Sequence, residues 1–452
     1  MDKKNKVKLP NEQEKFKSFI FLLIGQLVSL FGSSIVMFAI IWWISSETGS
    51  LIILSIAYFL SFAPVMILIP FTGVYADRWN KKKIIIISDL LQAILTLGLI
   101  ILFVFGTISL IPIFILIALR GICQAFHQPA LLSIIPFMVP QRHLSRLNSI
   151  SFLCMGLLNV LAPLIAVFLL KFITIGQILW VDIITFSIAV IPSIFLKFSV
   201  KKRKRKKKKK SSFKKEFKEG ILALKEIEGF ISLLVIFAIL TFLLVPFYVL
   251  MPHFVEFTHA GDEDDYALVM AFFNVGLVVG SIVVILKKNW NRNVLSIVQL
   301  TYFELMGAFF IIISPKGVFW FMGVGPLIIG LVMAITNTLM LTLIQKVIAP
   351  RKQGRALSIV ILISNSVAPL SMILSGFFAE ILGIYLFFWL CLILSFGIIT
   401  LGIKSTSILG IDKITKEKLK KTNLPKENYK KDGETTKKTD VTIDNGLKDG
   451  KI

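Results

Sequence analysis

Several ionisable side chains lie inside long apolar stretches of the sequence, where an isolated charge is costly. Three of them are Arg120, Asp182 and Glu304. Charged groups in such stretches commonly bind protons, ions or one another. A fixed cation beside a carboxylate stabilises the deprotonated form, so such a pair can link proton binding to the binding of another cation. We therefore predict that these three residues are candidates for a proton-coupling site.

Arg120 is the first residue of a polar stripe. Gln124, His127 and Gln128 follow it at i+4, i+7 and i+8, which places the four side chains on one helix face. This face is predicted to line the interior of a helix bundle or a water-filled cavity. For Arg120, a structural role bonded to backbone carbonyls stays equally open. For His127, a packing role is favoured over proton transfer.

A second polar region combines two histidines with four consecutive acids. Its members are His253, His259, Asp262, Glu263, Asp264 and Asp265. Carboxylates and imidazoles bind cations, but the spacing here matches no ordered ligand set. A solvated acidic loop is therefore favoured, with no metal site and no cofactor. The three cysteines lie apart within apolar runs and predict neither a disulfide nor a metal site.

The composition is that of a membrane protein. Of 452 residues, 56% are hydrophobic and 17% are charged. The apolar residues form runs of about 20, the length that crosses a bilayer as a helix. The net charge of +24 could indicate nucleic-acid binding, but the basic residues cluster between the runs, so no nucleic-acid partner is expected. The sequence contains no nucleophile and base set and no nucleotide-binding loop, so we do not predict an enzyme.

The apolar runs predict twelve transmembrane helices. They lie near 19–44, 51–72, 84–105, 109–135, 148–170, 175–198, 229–251, 266–286, 294–313, 317–344, 356–378 and 384–404. With both chain ends on one side, every connecting segment on that side carries net positive charge. The positive-inside rule then places both termini in the cytoplasm. We expect a multi-pass protein of a bacterial plasma membrane.

Five regions are predicted along the chain. They are a cytoplasmic N-terminus (1–18), a six-helix bundle (19–198), a basic cytoplasmic linker (199–228), a second six-helix bundle (229–404) and a disordered cytoplasmic tail (405–452). Residues 201–210 are all basic, and such a run is expected to stay solvated near anionic lipid. Residues 213–228 are predicted to form an amphipathic surface helix.

Short patterns recur in the same order in both halves. Pro140…Arg146 matches Pro350…Arg355, Asn159…Pro163 matches Asn365…Pro369, and Trp79-Asn80 matches Trp290-Asn291. Three matches in one order indicate an internal duplication. The predicted fold is therefore an all-α polytopic membrane protein with two pseudo-symmetric bundles and a binding site between them, which is a transporter architecture.

The segment after the second run has the sequence Gly73-Val-Tyr-Ala-Asp77-Arg78-Trp-Asn80-Lys81-Lys82-Lys83. It resembles the G-x-x-x-D-R-x-G-[RK]-[RK]-[RK] loop of the major facilitator superfamily. The resemblance implies the fold of that superfamily. It also implies a cytoplasmic gate formed by Gly73, Asp77, Arg78, Lys81, Lys82 and Lys83. Asn80 replaces the second glycine of the motif, and we expect it to use the left-handed backbone that Asn tolerates.

Asp89, in the third run, is assigned to the same gate. Its position near the start of the run predicts a shallow carboxylate. We expect it to pair with a loop arginine such as Arg142 or Arg146, in preference to carrying protons.

Other motifs of the first half are similar to the macrolide-efflux branch of the superfamily. They include Gly25-Gln26-x-x-Ser29-x-x-Gly32-Ser33, Thr48-Gly49-Ser50, Arg120-Gly121 and Leu147-Asn148-Ser149. That branch contains proton-coupled drug exporters with twelve spans. The resemblance implies an exporter of a bulky amphiphilic molecule, with a macrolide as one candidate. We expect the protein to act as a monomer. Siderophore or metabolite export, uptake by the same fold and a membrane scaffold or sensor stay open as alternatives.

Six polar side chains are predicted to line the substrate cavity: Gln26, Ser29, Gln124, His127, Asn159 and Asn365. Gln26 and Ser29 share a face of the first span. Each asparagine precedes, by one turn, a proline that bends its helix.

Overall fold

The computed structural model describes residues 12–106, 109–195, 221–222, 224–225, 227–287, 293–348, 350–405 and 407–411. These ranges contain twelve long helices and no strand. The helices are α1 Glu12–Thr48, α2 Leu51–Arg78, α3 Lys81–Val104, α4 Leu110–Leu132, α5 Gln141–Leu170, α6 Ile175–Phe195, α7 Phe230–Val249, α8 Glu263–Leu286, α9 Asn293–Ile312, α10 Phe319–Val347, α11 Pro350–Leu382 and α12 Ile384–Ser405. Short helical turns cover Ile135–Met138, Met251–His253, Phe254–Thr258 and Ser407–Leu409.

The helices lie where the apolar runs predicted them. Within the described ranges, ten have the length and hydropathy to cross a membrane, which confirms an all-α polytopic membrane protein. The other two, α5 and α11, have 30 and 33 residues. Their described apolar parts are Cys154–Leu170 and Ser366–Leu382.

Prolines begin both of these long helices. Pro140 is the N-cap of α5, and Pro350 is the first residue of α11. Proline fits a first helical turn, where its missing N–H leaves no hydrogen bond unmade. Arg146 and Arg355, which the sequence placed before the spans, therefore lie within the first turns of these helices.

Asn80 makes the sharp connection between α2 and α3. Its backbone is extended, with φ −72° and ψ 107°, and its side-chain oxygen accepts a hydrogen bond from the Lys83 N–H at 3.3 Å. The expectation of a left-handed backbone at Asn80 is wrong, because the residue acts as a helix N-cap, a position that Asn favours and that requires extended backbone.

The first six helices and the last six repeat one packing pattern. In the first bundle α1 packs on α5, α2 on α4, and α3 on both α4 and α6. In the second bundle α7 packs on α11, α8 on α10, and α9 on both α10 and α12. The two bundles meet through α2 with α11 and through α5 with α8. α2 corresponds to α8 and α5 to α11 in the two halves, so exchanging the halves turns one of these pairs into the other. An internal duplication requires this symmetry.

Glycines bring α8 and α10 into backbone contact. A Cβ at Gly276 or Gly280 would overlap carbonyl oxygens of α10, and a Cβ at Gly330 would overlap the carbonyl oxygen of Phe273. Small residues of this kind let membrane helices approach closely, so that dispersion forces hold them together.

Residues 221–230 and 407–411 pack together at one end of the second bundle. Leu224, Ile227, Ile408 and Ile411 are buried in one cluster, and the Ser407 hydroxyl donates a hydrogen bond to Glu228 at 2.8 Å. Residues 407–411, which fall in the tail predicted to be disordered from residue 405, are therefore packed against the second bundle. The basic run 201–210 and residues 412–452 lie outside the described residues.

The bundle has two distinct ends. We call the end that carries residues 254–265 the acidic-loop end, and the end that carries residues 79–83 the basic-loop end.

Replacing Gly330 with alanine should destabilise the protein, although alanine favours helix more than glycine does. The added methyl group would force α8 and α10 apart, and such overpacking costs about 1–3 kcal/mol. The check is the thermal unfolding midpoint in detergent. Gly397→Ala is the matched control, because a Cβ there meets no atom within 4 Å. A Gly330→Ala midpoint equal to that of Gly397→Ala would contradict the packing argument.

Candidate functional site

A buried ion pair joins α4 to α6. Arg120 Nη1 lies 2.6 Å from Asp182 Oδ2. The Asp182 side chain is 0% exposed, while that of Arg120 is 14% exposed. Asp182 is therefore fully removed from solvent, and the guanidinium lies at the edge of the buried region.

Two hydroxyl groups complete the surroundings of Asp182. Ser33 Oγ, from α1, donates to Oδ1 at 2.8 Å. Thr96 Oγ1, from α3, accepts a hydrogen bond from Arg120 Nη1 and lies 2.8 Å from Asp182 Oδ2. Removing two charges from solvent is favourable only when hydrogen bonds satisfy their remaining polar atoms. Side chains from α1, α3, α4 and α6 provide these bonds.

Small residues make this convergence possible. A Cβ at Gly32 of α1 would overlap the side chain of Thr185 of α6, so only glycine lets the two helices approach this closely. The resulting contact brings Ser33 within hydrogen-bonding distance of Asp182.

A second buried cluster lies between α1, α3 and α4. Gln26 Nε2 donates to Asp89 Oδ2 at 3.1 Å, and His127 Nε2 lies 3.1 Å from Asp89 Oδ1. The side chain of Asp89 is 1% exposed and that of His127 is 8% exposed. His127 Nε2 has no hydrogen-bond partner in this arrangement, so the contact of the imidazole with the carboxylate is electrostatic.

The second cluster corrects the expectation that Asp89 is shallow. Asp89 is deeply buried, and its described partners are Gln26 and His127; its expected pairing with Arg142 or Arg146 stays a prediction, since those side chains lie outside the described residues. Position along a helix does not reveal depth, because the start of α3 is covered by α1 and by the end of α4. Gln26 and His127 both contact Asp89, and their predicted place in the substrate cavity stays a prediction. Ser29 is 4% exposed and is likewise buried between helices.

Glu304 is not part of either cluster. It lies on α9 in the second bundle, half-buried on the face that also carries buried Thr301 and Ala308. The three predicted coupling residues thus separate into a pair, Arg120 with Asp182, and a distant carboxylate.

The other predicted site residues have varied surroundings. Gln124 is half-buried and Asn159 is exposed. Lys81 is buried, Lys83 is exposed, and Lys82 Nζ donates to the Ile194 carbonyl at 2.5 Å. The side chains of Gly73, Asp77, Arg78, Asn365, Arg142 and Arg146 lie outside the described residues, so the gate stays a prediction.

Aromatic residues close the bundle near the acidic-loop end, which the sequence did not reveal. Tyr266 of α8 stacks on Phe38 and Trp42 of α1, with ring centroids 4.9 and 5.6 Å apart. Its hydroxyl lies 3.1 Å from that of Tyr58 of α2. Tyr266 is 2% exposed. These contacts join the two bundles through one side chain.

Polar contacts continue this closure to the surface. Ser45 Oγ donates to Glu256 Oε2 at 3.3 Å, His253 Nε2 lies 3.1 Å from the Gly49 carbonyl oxygen, and Lys171 Nζ lies 2.5 Å from Asp264 Oδ2. Each contact crosses from the first bundle to the second.

The acidic segment is thus partly structural. Asp262 and Asp265 form a reciprocal capping box at the start of α8, each side chain accepting from the other's N–H at 3.1 Å. Asp264 binds Lys171 of the first bundle. Among the described residues, no three His, Cys, Asp or Glu side chains form a metal-binding group.

Comparison with known proteins agrees with this geometry. Residues 22–371 match the family model described as the Major Facilitator Superfamily. The chain belongs to the major facilitator superfamily. Its fold and family are those of membrane transporters for small molecules.

Relatives within the superfamily include two proteins named Macrolide efflux protein A. The protein from Streptococcus pyogenes is 28% identical over 368 residues, which cover 81% of this chain and 90% of the relative. The protein from Enterococcus faecalis is 26% identical over 313 residues, covering 69% and 96%. Among solved structures, a bacterial homologue of the iron transporter ferroportin, in an inward-facing state, superposes with a TM-score of 0.66 at 16% identity. The match covers 86% of this chain and 98% of that one.

Superfamily transporters alternate between states in which the bundles touch at one end or the other, so Glu256 lies at a contact that must break. Burial raises the pKa of Glu256 to about 7, and the hydrogen bond from Ser45 opposes this shift. Glu256 lies between α7 and α8, outside the membrane-spanning segments.

Closure at the acidic-loop end should weaken as pH rises through about 7. In the closed contact the pKa of Glu256 is about 7, whereas the ordinary pKa of a glutamate is 4.5, so closure makes Glu256 bind a proton more tightly. Its stabilising effect on closure is therefore complete below pH 4.5 and is lost as the pH rises to about 7. Spin labels at exposed residues 46 and 380 should report longer distances at pH 8 than at pH 5, and Glu256→Gln should reduce this change. A pH response that persists unaltered in the variant would exclude Glu256 as its source.

Proposed function

We propose that this transporter exports a bulky amphiphilic small molecule in exchange for protons. Three observations support the proposal: the relatives named for macrolide efflux, the buried Arg120–Asp182 pair, and an apolar recess in the second bundle. The pair is the observation that carries it, because a desolvated carboxylate with one cationic partner can be neutralised by a proton or kept ionised by Arg120.

The proton would act by changing this pair. With Asp182 ionised, the attraction to Arg120 and the hydrogen bonds from Ser33 and Thr96 hold α1, α3, α4 and α6 together. Protonation of Asp182 removes its charge and leaves Arg120 without a counter-ion. The partly exposed guanidinium then favours an arrangement in which it reaches solvent. Binding of a proton is thereby linked to the rocking of the first bundle.

An apolar recess in the second bundle supports the substrate class. A cavity of about 50 Å³ lies between α7, α8, α9 and α10. Tyr248, Phe273, Met270 and Pro326 are among its lining residues. Flexible methionine and flat aromatic side chains accommodate apolar groups of varied shape, so these residues would contact an apolar part of a bulky substrate once the recess widens.

The orientation follows from the charge of the loops. We place both termini and the basic-loop end in the cytoplasm of a bacterial cell, with anionic lipid near residues 201–210 and no nucleic-acid partner. The protein would act as a monomer. Substrate would enter between the bundles at the basic-loop end and leave after contacts such as Tyr58 with Tyr266 separate.

A siderophore or another metabolite is the second candidate substrate, and uptake is the alternative direction. The fold shared with an iron-transporter homologue supports no particular cargo at 16% identity. A scaffold or sensor is disfavoured by the Arg120–Asp182 pair, since a passive membrane anchor gains nothing from buried charges.

Asp182→Asn should abolish proton-driven export. The amide cannot bind the proton, and the substitution leaves Arg120 without its counter-ion, a loss that costs about 3–5 kcal/mol in a buried pair. The measurement is accumulation of labelled erythromycin in a drug-sensitive bacterium, with and without a protonophore. Wild type should keep accumulation low until the protonophore is added, and Asp182→Asn should accumulate label throughout. Glu47→Gln, at an exposed carboxylate of the same bundle, is the control. Full export by Asp182→Asn at equal protein level would exclude the pair from coupling.

Asp77→Asn tests the predicted gate. A carboxylate at the end of α2 can bind the positive N-terminus of a neighbouring helix and stabilise one state of the bundle. We expect slower export with an unchanged amount of protein in the membrane. Export at the wild-type rate would remove the gate from the mechanism and leave the Asp182 result unaffected.

A further inference from the structure

The two buried clusters form two levels of one polar ladder. Their members are seven residues apart on each of three helices. The pairs are Gln26 and Ser33 on α1, Asp89 and Thr96 on α3, and His127 and Arg120 on α4. Seven residues make two turns, so the levels lie about 10 Å apart along the helix axes.

The direction of each helix fits this arrangement. α1 and α3 run away from the basic-loop end, and α4 runs towards it. Gln26, Asp89 and His127 therefore meet at the level nearer the basic-loop end, and Ser33, Thr96 and Arg120 meet Asp182 at the other. Gln92 of α3 and Gln124 of α4 lie in the interval between them, Gln92 being buried.

Counted in their ordinary ionised forms, the side chains of the two levels carry one more negative charge than positive charge. Arg120 supplies one positive charge, and Asp89 and Asp182 supply two negative charges. A net buried charge is costly, so the ladder is balanced when it holds one additional proton. That proton can be held at Asp182 or at the imidazole of His127.

His127 has the surroundings of a proton carrier rather than those of a structural histidine. It is 7% exposed, and its Nε2 makes no hydrogen bond although Asp89 Oδ1 is 3.1 Å away. Buried polar atoms in a purely structural role are normally hydrogen-bonded. Among the described residues, the charged groups that face it are Asp89 from α3 and Arg120 two turns along α4. α1 presents the neutral Gln26, and the described side chains of α2 carry no charge.

An apolar layer separates His127 from the basic-loop end. Leu22, Ile85 and Ala130 lie about one turn beyond Gln26, Asp89 and His127 respectively, and all three are fully buried in one cluster. This layer favours the level of Asp182, rather than the basic-loop end, as the source of a proton for His127.

We propose that His127, with Asp89 as its counter-ion and Gln26 positioning that carboxylate, is a second proton station of this transporter. The inference rests on the proton coupling put forward under the proposed function. In the transfer, the O–H bond of the Asp182 carboxylic acid breaks, water molecules between the two levels relay the proton over about 10 Å, and an N–H bond forms at the imidazole. The carboxylate then pairs with Arg120, and the imidazolium pairs with Asp89. Every buried charge has a partner after this step, and the apolar layer must open before the proton can leave.

The test separates proton movement from substrate movement in liposomes that contain the full-length protein. Exchange of labelled for unlabelled erythromycin at equal pH on both sides needs no net proton transfer. Accumulation against a gradient, driven by a pH difference, does need it. The variants are His127→Gln and Asp89→Asn. Gln128→Ala is the matched control, since Gln128 is the exposed neighbour of His127 on α4.

His127→Gln and Asp89→Asn should keep exchange within about twofold of wild type. Each should lower gradient-driven accumulation by at least about tenfold, and Gln128→Ala should match wild type in both assays. If His127→Gln lost exchange and gradient-driven accumulation equally, His127 would be a structural residue and the inference would be overturned. Gradient-driven accumulation at the wild-type rate in that variant would also overturn it. A wild-type protein that exchanges erythromycin but ignores the pH gradient would remove proton coupling itself, and this inference with it.

Discussion

The structure of the first bundle depends on the buried carboxylate of Asp182, which needs a counter-ion and hydrogen bonds. Asp182 has no access to water, so its carboxylate must be balanced by Arg120 and by hydroxyl protons from two further helices. This requirement fixes the relative positions of α1, α3, α4 and α6, and it explains why glycine is needed at position 32. In a bilayer, apolar side chains gain little by leaving lipid for protein, so polar contacts of this kind determine which faces of the helices meet.

Near the acidic-loop end the same principle acts between the bundles. The four consecutive acids were interpreted as a solvated loop. Their contacts support that interpretation only in part. Asp262 and Asp265 cap α8, and Asp264 binds a lysine of the other bundle. Residues that look like a ligand cluster in the sequence are thus distributed between helix capping and closure. The stacked rings around Tyr266 add the apolar part of this contact.

The sequence predicted the helices well and their contacts poorly. Apolar runs of about 20 residues locate spans because a bilayer imposes that length, and the repeated prolines revealed the duplication. Arg120 and Asp182 were recognised separately, since a charge in an apolar run is conspicuous. Their pairing depends on how α4 and α6 pack, which no local pattern encodes. Asp89 was misjudged for the same reason. One signal was present and overlooked: Gln26 with Ser33 and Asp89 with Thr96 repeat the seven-residue spacing of Arg120 and His127.

The two bundles differ in what holds their helices together, and this difference has a mechanical consequence. In the second bundle, α8 and α10 touch backbone to backbone at Gly276, Gly280 and Gly330, a contact that protonation leaves unchanged. In the first bundle, the central contacts include ionisable groups, so a change of protonation can rearrange them. We therefore expect the second bundle to move as a stiff unit, while the first also changes internally. Although their helices repeat one pattern, the two halves would then differ in elasticity.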